Sequence, residues 1–258
     1  MTRREQAYNR RLKELIKKTD RLADREVEKV LGFLEQARSE VAARVASTEW
    51  QAHYIPELKE AVERAIEAFR QRYSAGQKEG LANIWNAGID SIDAPLQYAG
   101  IRSGAPEISR TVLEVMQGYS ADLINGLSSD AVKKINSELV LGVMGGKTPY
   151  ETMKAIGRSL DEKSVFKSLG HRAEAITRTE MARVNSAARE ARMQATAEAG
   201  TEPAMKWQKK WIASGKAHPR ENHAALDGKI VDVNEDFPGG IPYPHAPGLP
   251  AKEVVQCG

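Results

Sequence analysis

Residues 172–228 constrain the fold of this chain more than any other stretch. An alanine-rich segment with helical spacing of its apolar residues ends at Gly200, and a short basic run with two tryptophans follows it. Glycine is the usual residue just beyond a helix end. The pair Asp227-Gly228 then precedes a run typical of a β-hairpin turn and strand. The stretch predicts a long, closely packed helix that leads into a small module with a short hairpin.

The remainder of the chain has the apolar periodicity of helices. Stripes at spacings of three and four run through residues 27–45 and 58–73, which is the pattern of helices buried on one face. Aromatic residues make up only 6% of the sequence, so packing must depend mainly on alanine, leucine, valine and isoleucine. We therefore predict a mainly α protein, with an elongated helical N-terminal body and a small α+β C-terminal module that contains a long helix and a short β-hairpin.

Glycine, proline and polar capping residues predict where the helices begin and end. Thr148, Pro149 and Glu151 form a capping box with proline at the first helical position, which is a strong helix start. Thr177 and Glu180 have the same spacing, and Thr177 either starts a helix or lies inside a longer one. The other predicted boundaries are, in chain order, Gly76, a loop at 95–106, caps at Ser128–Asp130, a turn at Gly145-Gly146 and a break at Gly170.

These boundaries divide the chain into three predicted parts. Residues 1–100 form a helical arm and body, residues 101–165 a helical hairpin region, and residues 166–258 the C-terminal module. The helix–Gly-Gly–helix arrangement of the second part has the outline of a DNA-reading motif. Its second helix lacks a cluster of Arg, Asn or Gln on one face, which favours an ordinary packed hairpin.

The charge distribution limits the function classes. The chain has 258 residues and a net charge of +3, which is too mild to indicate nucleic-acid binding from bulk charge. Residues 1–30 carry ten Lys and Arg against six Asp and Glu. They form either a solvated helix face or a basic arm that docks on a partner or on DNA. No run of about 18 apolar residues occurs, so we expect no membrane-spanning segment. The absence of a signal-peptide core points to cytoplasmic synthesis.

Residues 206–211 combine cations with two tryptophans. Their alternation predicts a strand with Trp207 and Trp211 on one face. Two interpretations remain open: the tryptophans are buried in a core, or they stack on bases beside the cations. The candidate nucleic-acid contacts are Lys206, Trp207, Lys209, Lys210, Trp211 and Lys216.

Three of the five histidines lie near the C-terminal end with the single cysteine. His218, His223, His245 and Cys257 are one chemically feasible zinc set, although the CxxC pairs of strong zinc signals are absent. His223 and carboxylates such as Asp227 are also residue types of a general acid/base site. No nucleophile elbow, P-loop or HExxH pattern accompanies them. We therefore predict no cofactor and no enzymatic activity, and the alternative is a metal-assisted nuclease or nucleic-acid-binding module in this His/Asp region.

Several of these residues form an ordered series over about the last 90 positions. In chain order the series is Ile176-x-Arg178-Thr179-Glu180, Asn185, Gly200, Trp207 or Trp211, Arg220-x-x-His223, Leu226-Asp227-Gly228 and Pro250-Ala251-x-Glu253-Val254-Val255-x-Cys257. This order resembles the phage head-morphogenesis family, also called the Mu F-like minor head proteins. Many members have an acidic residue after the tryptophan, in an Asp-x-Arg pattern before the histidine, whereas this chain has no acidic residue from Ser214 to Arg220. It also has Gln256 where Asn is common.

The resemblance implies a structural role in the head of a tailed phage. It implies a minor capsid protein that associates with the portal vertex during procapsid assembly, with the portal protein and capsid or scaffolding proteins as partners. Contact with packaged double-stranded DNA is a further implication. So is a location inside the head or procapsid of the virion, after assembly in the host cytoplasm. The residues that the resemblance assigns to holding the C-terminal module together are Arg178, Glu180, His223, Asp227 and Gly228, with Thr179, Asn185 and Arg220 as further motif positions.

Overall fold

The computed structural model describes residues 2–47, 54–158, 163–212 and 221–250. In chain order, these residues form the elements α1 (Arg3–Ser47), α2 (Ile55–Tyr98), β1 (Arg102–Ser103), α3 (Thr111–Leu141), α4 (Pro149–Ile156), α5 (Val165–Ala199), β2 (Thr201–Glu202), β3 (Gln208–Lys210), α6 (Glu221–Leu226) and β4 (Ile230–Asp232). A π-type turn over Gly142–Gly146 connects α3 to α4. The predicted mainly α fold class is confirmed. No helix in the described ranges has a stretch long and apolar enough to cross a membrane.

The chain divides into two compact units, each assembled from separate stretches of sequence. The first, here called the terminal unit, comprises Met1–Ala23, Gly80–Met116 and Arg178–Gly258. The second, here called the middle unit, comprises Asp24–Glu79 and Gln117–Thr177. Helices α1, α2, α3 and α5 each contribute residues to both units. The three-part division at residues 100 and 165 stays a prediction.

The core of the middle unit is a single apolar cluster to which α1 to α5 all contribute. Leu34, Phe69, Ile135 and Phe166 are each fully buried within it. The stripe predicted in residues 27–45 supplies the α1 side of this cluster, from Val30 to Val45. The helical spacing of these residues places them on one face, which explains why a charged helix of 45 residues is held in the fold.

Thr177 lies inside α5, so the second of the two sequence interpretations is confirmed. Its hydroxyl donates to the Ala173 carbonyl one turn earlier, at 2.8 Å. The buried Tyr73 hydroxyl lies 2.9 Å from the same carbonyl and 2.6 Å from Thr177 Oγ1. The predicted break at Gly170 is wrong, because α5 runs without interruption from Val165 to Ala199. A Cβ at Gly170 would lie 3.4 Å from the Leu34 side chain. The glycine permits close packing within a continuous helix.

Two other predicted helix ends are also wrong. Helix α2 continues through Gly76 and includes Pro95, and α3 runs through Ser128 without a new start. Tyr73 and Gln77 are buried on either side of Gly76, so tertiary packing outweighs the low helix propensity of glycine. Pro95 lies in the last turn of α2, so the helix ends three residues after the position at which proline removes a backbone hydrogen bond.

Two local boundary predictions are confirmed. The Thr148 side chain accepts a hydrogen bond from the Glu151 backbone NH, and the Glu151 side chain accepts one from the Thr148 backbone NH, with Pro149 at the first helical position. Helix α5 ends at Ala199, and Gly200 follows with a φ of 76°. That conformation strains residues other than glycine, which explains the helix end.

The terminal unit contains three apolar clusters. The largest includes Trp85 of α2 and Val184 of α5, and a second lies around Leu96. Strands β1 and β2 pair antiparallel, as do β3 and β4, in which Gln208 lies opposite Asp232. The β3–β4 pair is the predicted hairpin, but a tight turn at Asp227-Gly228 joining its strands is wrong. Helix α6 lies within the connection, and Asp227-Gly228 forms the turn that follows it.

Replacement of Tyr73 by phenylalanine should lower the free energy of unfolding by about 1 kcal/mol, because it removes a buried hydroxyl from the Ala173–Thr177 hydrogen bonds. Urea denaturation of both proteins would measure the difference. Tyr150→Phe is the control, because Tyr150 is exposed and its hydroxyl bonds only to exposed Arg158 among the described contacts. Equal losses in the two variants would contradict the prediction.

Candidate functional site

One face of α5 supplies charged side chains to the interior of the terminal unit. Glu180, Arg183 and Glu190 are spaced so that they fall within about 80° of the helix circumference. Glu180 and Glu190 are both buried. Buried carboxylates are costly unless they are paired or hydrogen-bonded, so this face must meet polar partners from other segments.

Lys209 of β3 is the partner of Glu190. Its Nζ lies 2.8 Å from Glu190 Oε1, and each side chain is only 5% exposed. The same ammonium donates to the Pro242 carbonyl at 2.8 Å and lies 5.7 Å from the centre of the Phe237 ring. One cation therefore ties α5, the β3–β4 sheet and the segment after β4 together.

A small aromatic core surrounds this pair. Trp211, Leu226 and Phe237 are buried together, with Val231 and Ile241 against them. The ring of Trp211 meets the ring of Phe237 edge-on, with centroids 5.2 Å apart. Edge-to-face packing of this kind is a favourable aromatic geometry. The core shields the Lys209–Glu190 pair from water, which strengthens their attraction.

Glu180 has a weaker charge partner than Glu190. Arg183 lies one turn along, with its Nη1 3.2 Å from Glu180 Oε1. Burial raises the pKa of the Glu180 carboxyl, and the nearby Arg183 guanidinium opposes that rise. Burial also raises the pKa of Tyr243, with Glu190 adding to the effect and Arg183 opposing it. Tyr243 thus lies within the electrostatic reach of both charged pairs.

The opposite edge of α5 is fixed by Arg192. Its Nε lies 2.6 Å from Asp93 Oδ1 of α2, and its Nη1 donates to the Pro106 carbonyl at 2.6 Å. Close backbone approach accompanies these bonds, because a Cβ at Gly88 would lie 2.8 Å from the Ala188 Cβ. The small residues of α5 therefore let α2 approach, and Arg192 holds the two helices in register.

Arg189 adds a half-buried charged group on α5. Burial lowers the pKa of the Arg189 guanidinium and raises the pKa of Tyr8 on α1, and the charge interaction between the two partly offsets each change. Tyr8 also packs against the apolar cluster around Leu96. Helix α1 is thus joined to α5 within the terminal unit.

The motif residues of the sequence analysis lie on two elements. Arg178, Thr179, Glu180 and Asn185 are on α5, where Glu180 is buried and Arg178 is exposed. The His223 ring lies edge-on to Trp211, with centroids 5.8 Å apart. Interlocking of the α5 residues with the turn around His223 stays a prediction. The remaining motif residues are Asp227 and Gly228, in the turn after α6, and Arg220, which lies outside the described residues.

The candidate nucleic-acid residues fall on both faces of β3. Lys209 and Trp211 are buried and Trp207 is half-buried, so these three face the interior. Lys206 and Lys210 are exposed, and Lys206 Nζ lies 3.1 Å from Asp232 Oδ1. A nucleic-acid contact stays a prediction, and the two exposed lysines are positioned to make it. Lys216 lies outside the described residues.

The candidate metal and catalytic residues are only partly described. His223 is half-buried and His245 is buried, whereas His218 and Cys257 lie outside the described residues. Within the described ranges, no group of three or more His, Cys, Asp or Glu side chains is placed to hold a metal ion. The zinc site and the metal-assisted nuclease centred on His223 stay predictions.

Sequence reasoning missed the contacts that join the segments. Glu190 and Lys209 are 19 residues apart and Asp93 and Arg192 are 99 apart, so no local spacing links the partners. One signal was available, because Lys209 lies between Trp207 and Trp211 on the inward side of the predicted strand. A lysine at an inward strand position requires a buried partner.

Comparison with known proteins gives a family for the C-terminal half of the chain. The family described as Phage Mu protein F like protein matches residues 133–257. The uncharacterized protein YqbB of Bacillus subtilis (strain 168) is 45% identical over 62 residues, which cover 21% of this chain and 20% of that protein. The chain therefore aligns with only about one fifth of that relative's length. No solved structure matches this chain.

Replacement of Lys209 by methionine should lower the free energy of unfolding by about 3–5 kcal/mol, because it leaves Glu190 buried without its cation. The double variant Lys209→Met/Glu190→Leu should recover most of that loss, since neither charge then remains in the core. Chemical denaturation followed by tryptophan fluorescence measures both effects. The control Lys210→Met alters an exposed side chain and should change stability by about 0.5 kcal/mol or less. A single variant as stable as this control would contradict the prediction.

Glu180 should make the stability of the protein depend on pH. Its pKa is raised in the folded state, so the folded state binds this proton more tightly than the unfolded chain does. The resulting stabilisation is fully present below the ordinary pKa of 4.5 and is lost as pH rises through the raised pKa.

Glu180→Gln removes this titration and should flatten the pH dependence by up to about 1.4 kcal/mol per pH unit, the effect of one proton. Denaturation midpoints between pH 4 and pH 8 would give the slopes. Glu198→Gln, at an exposed position of the same helix, should keep the wild-type slope. If Glu180→Gln also keeps the wild-type slope, Glu180 is not the source of the pH dependence.

Proposed function

We propose that this chain is a minor capsid protein that associates with the portal vertex during procapsid assembly. The proposal starts from the match of residues 133–257 to the family described as Phage Mu protein F like protein. The family implies a structural role in a phage head, a virion location and capsid partners. The finer parts of the proposal are the portal protein as direct partner, a position inside the head, and contact with packaged DNA.

The observation that carries the proposal is the use of charge in the family-matched part of the chain. Glu190, Lys209 and Arg192 are paired with other groups of the same chain, and the first two are nearly inaccessible to solvent. Such an arrangement supports a rigid module that presents a fixed surface. It offers no open face at the Lys209–Glu190 pair for binding and turning over a substrate.

A surface suited to a protein partner lies at the turn between α3 and α4, within the matched residues. Leu141, Met144 and Tyr150 are 45%, 78% and 62% exposed, although large apolar side chains are usually buried. Because Gly142–Gly146 forms a π-type turn there, these side chains project near a helix junction. These three side chains are here called the α3–α4 tip. We propose that the α3–α4 tip contacts the portal protein, because apolar side chains form the energetic centre of protein interfaces.

Met144→Glu should reduce co-purification with the portal protein about tenfold, because burial of one methionine side chain at an interface contributes about 1.5 kcal/mol or more. Co-expression with the portal protein of the same phage, followed by affinity capture and quantification, measures the ratio. The matched control is Met205→Glu, since Met205 is also exposed and lies within the matched residues.

Two results would count against this proposal in different ways. Failure of the wild-type chain to co-purify with the portal protein, or its absence from procapsids and mature particles, would overturn the association itself. If Met144→Glu and Met205→Glu bind the portal protein equally well, the association stands, but the α3–α4 tip is not its contact surface.

Contact with packaged DNA is the second element of the proposal. Lys206 and Lys210 project from the outer side of the β3–β4 sheet, and lysines at such positions can neutralise phosphates without reading sequence. The inward position of Trp211 means that this contact would depend on charge and not on stacking of that ring on bases.

A further inference from the structure

Helix α1 carries a row of cations along its exposed side in the terminal unit. Successive members are separated by three, four or seven residues, which keeps them within about 80° of the helix circumference. All of them are exposed. This set, here called the α1 ridge, consists of Arg3, Arg10, Lys13, Lys17 and Arg21.

The opposite side of the same helix attaches it to the unit. Leu15 is buried, and Leu22 and Tyr8 are half-buried against apolar clusters. By helical spacing these residues lie about 180° from the centre of the ridge. The ridge therefore faces solvent because the apolar side of α1 is already occupied.

Charge is concentrated on this part of the chain. Residues 3–21 contain eight Lys and Arg against three Asp and Glu, while the whole chain has a net charge of only +3. Of the two carboxylates that flank the ridge, Glu14 is paired with Arg11 at 2.9 Å and Asp20 lies toward its far end. The ridge is thus a local positive surface on a chain that is otherwise slightly acidic.

The ridge also has fixed geometry and suitable hydrogen-bond donors. Arg10 donates to the Tyr98 hydroxyl at 2.6 Å and lies 5.4 Å from the centre of that ring, which holds one cation in place. An open depression of about 400 Å³ lies between Arg10, Lys13 and Lys17 and is also lined by Gln6, Asn9 and Glu14, the carboxylate that is paired with Arg11. Amide side chains of this kind are common donors to phosphate oxygens.

We infer that the α1 ridge binds the phosphate backbone of duplex DNA without reading its sequence. Cations four residues apart on a helix are separated by about 6 Å along its axis, so Lys13, Lys17 and Arg21 offer a regular row of charges to a linear polyanion. The inference rests on the proposed DNA contact and adds to it a second surface, which lies outside the family-matched residues.

The composition of the ridge favours DNA over an acidic protein. Protein interfaces have a desolvated centre rich in apolar and aromatic side chains and poor in lysine. The ridge has no large apolar member, and the nearest one on this part of α1, Ile16, is 36% exposed and lies on another side of the helix. Binding through released counterions needs no apolar centre.

Fluorescence anisotropy with a labelled duplex of random sequence, titrated with the full chain at several salt concentrations, tests the inference. The test variant is Lys13→Gln/Lys17→Gln/Arg21→Gln, which leaves the Arg10–Tyr98 contact intact. Lys133→Gln/Lys134→Gln/Lys154→Gln removes the same charge from other exposed positions. A third variant, Lys206→Gln/Lys210→Gln, tests the sheet surface. Thermal melting checks that all variants fold.

The ridge variant should weaken binding about tenfold or more and reduce the slope of log K against log salt by about 2.7, which is about 0.9 for each lost phosphate contact. The control triple variant should keep the wild-type slope. A ridge variant that matches this control overturns the ridge, whatever the sheet variant shows.

Two further results are decisive. Undetectable binding of the duplex by the wild-type chain overturns both the inference about the α1 ridge and the DNA contact of the proposed function. The proposed association with the portal protein is tested independently by co-purification. A polyglutamate chain of equal charge that binds the ridge as tightly as the duplex does assigns the surface to an acidic protein and overturns DNA as its ligand.

Discussion

The buried Lys209–Glu190 pair is the interaction on which the C-terminal half of the terminal unit depends. Each charge alone in that environment would cost several kcal/mol, so the fold is strongly destabilised when only one of the two charges is present. Because Lys209 also reaches the Pro242 carbonyl, the chain after β4 must be in place as well. Phe237 of the aromatic core also lies against the Lys209 ammonium. Helix, sheet and following segment are therefore mutually dependent.

Helix α5 makes further contacts besides the one through Glu190. Thr177, Glu190 and Arg192 bond to three different parts of the chain from one helix of 35 residues. The absence of a Cβ at Gly170 serves the approach of the Leu34 side chain, and the glycine remains helical because the surrounding core is fixed.

The sequence predicted those features of the fold that a few neighbouring residues determine. The capping box at Thr148 and the helix end at Gly200 need only adjacent groups, and both were predicted correctly. The helix ends expected at Gly76 and Ser128 fail because burial against distant segments outweighs local propensity. The same limit applies to the site, since Asp93 and Arg192 are 99 residues apart and no period or motif relates them.

Burial separates two uses of cations in this chain. Lys209 is buried, and its ammonium group contacts two hydrogen-bond acceptors and one aromatic ring. Its charge therefore contributes to folding and is unavailable to a ligand. The cations of the α1 ridge are exposed, and the apolar side of that helix holds it without them. Since the family match begins at residue 133, ridge charge can change without disturbing the module that the family shares. The polyanion affinity that we infer for the α1 ridge is therefore physically separable from the integrity of the C-terminal module.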